Sequence, residues 1–103
     1  ENVHPTEVEE VLRLHPGIAD VAVTGRPDSV YGSVLVAHVV LSDSGLSDEE
    51  LLDWARHHLG PHHRPREVRR VDELPRNATG KILRRVLAGE VTMDELDEED
   101  LLL

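Results

Sequence analysis

The sequence contains no cysteine and no phenylalanine, and its only aromatic residues are Tyr31 and Trp54. Without cysteine, disulfide scaffolds, thiol nucleophiles and thiolate metal sites are excluded together, and a reducing compartment is compatible. With two aromatics the core must be aliphatic, and no platform exists on which bases or sugars could stack, which argues against nucleic acid as a partner. No apolar run approaches the roughly 18 residues that a membrane span needs, and no basic-then-apolar leader opens the chain. The expectation is a soluble, cytoplasmic chain with no membrane span. It also lacks an initiator methionine, opening on Glu1-Asn2-Val3-His4-Pro5, so a preceding segment is expected.

What is present is charge, and it is segregated. The net charge is −10 over 103 residues. Glu90 to Asp100 carries acids without a single base, which leaves the rest of the chain close to balance. Arg64 to Arg85 holds an excess of bases, including Arg66, Arg69, Arg70, Arg76, Lys81 and Arg84. An anionic partner fits that stretch, and so does a solvated face whose arginines are offset elsewhere. The length suits one compact domain burying about two-thirds of its unfolded surface.

Periodicity gives an α-β-β-α-β-α order. Pro5 suits the first turn of a helix whose stripe is Val8, Val11 and Leu12. Ile18–Thr24 and Val34–Leu41 are β-branched strands joined by a long turn through Gly25, Pro27, Asp28 and Gly32. Ser47 with Glu50 forms a capping box before a second helix with its face on Leu52, Ala55 and Leu59, closed by Gly60-Pro61. Residues 67–71 give a third strand, residues 72–80 a loop, and Ile82, Leu83, Val86 and Leu87 a last helix. The fold class is α+β, a small mixed three-stranded sheet flanked by helices over residues 1–88. Residues 89–103 form an acidic tail, either disordered or a short helix capped at Thr92.

Chemistry concentrates in Asn77-Ala78-Thr79-Gly80-Lys81. Gly80 removes a side chain where a ligand could approach, and a following helix start offers free N–H groups to an anion. A phosphate-binding P-loop is excluded, because Pro75 stands where it needs a glycine and Ile82 where it needs Ser or Thr.

Four islands in order, ENVHPTEVEE at 1–10, HPGIADVAVTGRPDSVYG at 15–32, PREVRRVDELP at 65–75 and RNATGKILRR at 76–85, resemble the C-terminal lid domain of the acyl-adenylate-forming enzymes, in the acyl-CoA synthetase branch. The resemblance implies the mobile C-terminal domain of an AMP-forming acid-thiol ligase of fatty acid metabolism. In such an enzyme a small-molecule carboxylate and ATP form acyl-AMP and pyrophosphate, and the acyl group then passes to CoA. It implies that Lys81 is the lysine serving adenylation, with Thr79, Gly80 and Arg84 as phosphate-binding candidates. Glu1, Asn2 and Val3 would line the CoA tunnel after a hinge. A large N-terminal adenylation domain of the same polypeptide would hold ATP and Mg2+, so the fragment alone is expected to be inactive.

Other readings stay open: a stand-alone CoA- or carrier-protein-binding module, a peptide-synthetase lid, or a plain anion-binding domain. Arg84 and Arg85 fit phosphate contact, but arginines opposite an apolar helix face are more often its solvent side. His62-His63 departs from the family's usual Tyr-Lys pair, and Ser33 stands where an acid often follows the glycine. His57, His58, His62 and His63 invite a metal, yet adjacent histidines diverge and Gly60-Pro61 breaks the geometry, so none is assigned. Trp54 is expected to pack on its neighbours.

Overall fold

The structure, a computed structural model, describes residues 3–103. Helix α1 (Pro5–Leu12) starts on a proline, which sacrifices nothing where the N–H has no helical partner. It lays Val8 and Leu12, both fully buried, against strand β1 (Ile18–Asp28). β1 pairs antiparallel with β2 (Gly32–Leu41), from Ile18 opposite Leu41 to Asp28 opposite Gly32. The long turn expected from Gly25 is absent, because β1 continues through Gly25 and Pro27. A proline is tolerated there since β1 is an edge strand. The turn that remains is tight. Asp28 Oδ2 accepts from the N–H groups of Val30 and Tyr31 at 3.0 and 2.9 Å, and Gly32 takes φ 81°.

Helix α2 (Asp48–His58) carries the chain back so that β3 (Pro65–Arg70) runs parallel to β2, giving the expected mixed sheet in the order β1-β2-β3. Parallel neighbours need such a crossover. The Ser47–Glu50 capping box forms as expected: Ser47 Oγ accepts from the Glu50 N–H at 3.1 Å, and Glu50 Oε1 from the Ser47 N–H at 3.2 Å. The buried face of α2 is Leu51 and Ala55, whereas Leu52 is only half-buried. Residues 51, 55 and 59 lie on successive turns, and the sequence reading chose the neighbouring leucine.

The core joins Val8 and Leu12 of α1, Val21 and Val23 of β1, Ala37 and Val39 of β2, and Leu51 and Ala55 of α2. Ala22, Thr24, Val36 and His38, which alternate with these strand positions, are buried as well. His38 Nε2 lies 2.7 Å from Thr24 Oγ1.

The last predicted helix is shorter than expected: α3 spans only Arg84–Leu87. Arg76 and Ile82 form an antiparallel bridge, with the Leu83 N–H on the Pro75 carbonyl at 2.9 Å, so residues 81–83 stay out of the helix. The acidic segment makes a 3-10 turn at Met93–Glu95 and helix α4 (Glu98–Leu102). The Leu101 carbonyl accepts from the Ala78 N–H at 2.8 Å, which seats α4 on the loop before Lys81.

Candidate functional site: the Lys81 loop

The loop is built around one side chain. Asn77 is buried, and its Oδ1 accepts from the Thr79 N–H, the Thr79 hydroxyl and the Lys81 N–H at 3.0, 2.8 and 2.9 Å. Its backbone closes the turn, the N–H donating to the Lys81 carbonyl at 2.9 Å and the carbonyl accepting from the Gly80 N–H at 3.0 Å. Asparagine suits such a turn because its short amide imitates a backbone carbonyl. Gly80 has φ 89°, and a Cβ there would meet no atom within 4 Å. The glycine is therefore required by backbone conformation, not by space for an approaching group.

This revises the phosphate-cradle expectation. The N–H groups of Thr79, Gly80 and Lys81 are spent on Asn77, that of Ala78 on Leu101, and α3 begins three residues after Lys81 with only four residues. Thr79 and Gly80 shape the loop, and what it presents outward is the Lys81 side chain. Lys81 is exposed and enters no ion pair among the described residues.

Arg84 is tied into the fold instead of lying on a purely solvent face. Its Nη1 and Nη2 donate to the two carboxylate oxygens of Glu9 at 2.5 and 3.0 Å, and Nη1 also donates to the Val23 carbonyl at 2.8 Å. Glu9 is 2% exposed, and its Oε2 accepts from the Val23 N–H at 2.7 Å. The bond to Glu9 raises the pKa of Arg84 above the usual arginine value. Three of the five N–H groups of this guanidinium are thus committed to Glu9 and Val23, which ties Arg84 to α1 and β1. Arg85 instead is exposed and faces Glu90 at 3.8 Å. Arg76 holds the other end of the loop, with Nη2 on Asp20 Oδ2 at 2.6 Å and Nη1 on the Gly80 carbonyl at 2.8 Å. Sequence reasoning missed Glu9, Asn77's role and Arg76. The only local sign of Glu9 was an acid lodged between Val8 and Leu12.

An open cleft of about 690 Å³ runs beside the loop, and its lining includes Lys81, Arg85, Glu99 and Asp100. A second, of about 620 Å³, is lined by Val3, Tyr31, Arg64 and Arg66, with the Arg66 guanidinium 3.9 Å above the Tyr31 ring. Val3 packs on the core, whereas Glu1 and Asn2, the other tunnel candidates, lie outside the described residues. His57 and His58 place Nδ1 within 2.8 Å of the carbonyls of Asp53 and Trp54. Trp54 stacks on His58 at 3.9 Å and meets His15 edge-on at 5.2 Å, packing on its neighbours as expected.

The family described as AMP-binding enzyme C-terminal domain matches residues 7–81. A long-chain-fatty-acid–CoA ligase of Yersinia pestis is 44% identical over 89 residues, which cover 86% of this chain and 16% of that protein. Two solved structures superpose well. The fatty acyl CoA synthetase of Mycobacterium tuberculosis gives a TM-score of 0.79 at 35% identity, over 91% of this chain and 19% of that one. The o-succinylbenzoate CoA synthetase of Bacillus subtilis, in complex with its acyl-adenylate intermediate, gives 0.78 at 40% identity, over 84% and 18%. The chain thus spans about a sixth of the length of the curated relative.

Proposed function

Since the chain belongs to the AMP-binding enzyme C-terminal domain family, we propose that it is the mobile lid of an AMP-forming acyl-CoA ligase and that Lys81 serves the adenylation step. The partner is a large N-terminal adenylation domain of the same polypeptide, which binds a small-molecule carboxylate, of fatty-acid type, together with ATP. The magnesium accompanying ATP is assigned to that domain as well. The ligases among the relatives favour this reading over a stand-alone binding module or a peptide-synthetase lid. Residues 1–88 act as the lid and 89–103 as an appended tail, in a cytoplasmic enzyme.

In the first half-reaction a carboxylate oxygen attacks the α-phosphorus of ATP, the bond to pyrophosphate breaks, and acyl-AMP forms. Both reactants are anions, and charge spreads over the phosphoryl oxygens in the transition state. A mobile ammonium on a fixed backbone can follow that charge. In the second half-reaction the CoA thiol attacks the acyl carbonyl and AMP departs, with Glu1, Asn2 and Val3 beside the pantetheine arm.

The observation that carries the assignment is an exposed lysine, free of ion pairs among the described residues, on a loop whose backbone is already satisfied. Lys81→Ala in the intact ligase is expected to slow acyl-AMP formation by about 100- to 1,000-fold, or about 3 to 4 kcal/mol, as for loss of one preorganised charge-stabilising donor. Thioester formation from supplied acyl-AMP should change little. Mass spectrometry of acyl-AMP and acyl-CoA separates the two, and equal loss in both would sink the assignment.

A further inference from the structure

Lys81 is straddled by two arginines that reach back to the same region of the sheet. Five residues before it, Arg76 joins Asp20, in β1, to the Gly80 carbonyl. Three residues after it, Arg84 grips Glu9 of α1 and the Val23 carbonyl of β1. Glu9 in turn takes the Val23 N–H, so the two side chains satisfy both backbone groups of Val23 on the open side of the edge strand. The pair is charged, bidentate and almost closed to water at the Glu9 end, where the side chain is 3% exposed. Such a contact fixes orientation as well as distance.

We propose that Glu9 and Arg84, with Arg76 at the opposite end, are positioning residues for Lys81: they hold its loop to the α1–β1 body, so that body and ammonium move as one. None of the three touches the reacting atoms in this reading. The inference rests on Lys81 being the adenylation lysine. Its physical basis is that a lysine on a four-carbon stem is useful only where its backbone is held in place, and a displacement of about 1 Å can cost about 100-fold in rate.

The test uses the intact ligase carrying Arg84→Lys, Glu9→Gln or Arg76→Gln, each made alone and on a Lys81→Ala background. Circular dichroism melting checks that each variant is folded. Arg76 lies at the more exposed end, so its variant keeps the test alive if a change at the buried pair unfolds the protein. Each single substitution is expected to lower kcat for acyl-AMP formation by about 10- to 100-fold, with KM for the carboxylate and the thioester half-reaction within about twofold. On the Lys81→Ala background the same substitutions should cost nothing further, because the group they position is gone. Multiplicative losses there, or equal losses in both half-reactions, would mean a merely structural role and overturn the inference alone. If Lys81→Ala itself left adenylation intact, the reading beneath it would fall, and the inference with it.

Discussion

One amide oxygen, Asn77 Oδ1, accepts three hydrogen bonds, and the path of the chain into Lys81 follows from them. Asn77→Ala removes that acceptor but frees N–H groups that water can reach, so about 1 to 2 kcal/mol of stability should go rather than the full worth of three bonds. Asn77→Asp keeps the acceptor and should recover most of it, as read from denaturant midpoints of this chain. His38 makes a pH-dependent contribution. Burial foremost, then the charge of Arg69, lowers its pKa from 6.5. The unfolded chain therefore binds the proton more readily, and stability that is complete above pH 6.5 falls as pH drops through the folded value. His38→Gln should flatten the melting temperature between about pH 6.5 and 5, above the range in which carboxylates titrate. At this scale local spacing marked the loop from Asn77 to Lys81, and the family resemblance, not spacing, singled out Lys81 within it. The sequence could not show that Arg84 belongs to Glu9, 75 positions away, because charge balance along a chain does not say which charges meet.

Elements were legible where their signals are local. The capping box at Ser47 and Glu50 marks the start of α2 in sequence and in space. Ser47→Ala should cost about 1 kcal/mol. The face of the same helix was harder to choose, because Leu51 and Leu52 both adjoin the apolar stripe. Leu51 is 1% exposed and belongs to the core, so Leu51→Ala should cost about 2 to 5 kcal/mol. Leu52→Ala should cost clearly less, and urea titrations of the two variants would show the difference. The ends of β1 and α3 were misplaced for one reason: tertiary partners outweigh local punctuation. Gly25 and Pro27 look like a turn until β2 pairs with them, and Ile82 and Leu83 look helical until the Arg76–Ile82 bridge keeps them out of the helix.

For the whole molecule, the alternation of elements was enough to give the mixed sheet, since a hairpin followed by a helical crossover leaves few arrangements. The weight of individual charges was not legible. Glu67 bonds Arg69 and Arg26, and these bonds lower its pKa, yet the cluster is partly open to water. Glu67→Gln should cost about 1 kcal/mol or less. Glu9→Ala strands Arg84 and the Val23 N–H, and should cost about 3 kcal/mol or more. Chemical denaturation of the two variants side by side would separate them, and similar values would mean that burial is not what distinguishes the two ion clusters.

The seal on β1 also has a consequence in time. Arg84 follows Val23 by 61 residues, so on the ribosome the hairpin is made long before the group that closes its outer side. A nascent chain that has completed β3 but not α3 can already form all three strands while one rim, at Val23, is still open to pairing with a stranger. For that interval the protein is a template for sheet growth, and synthesis of α3, which carries Arg84, ends the exposure.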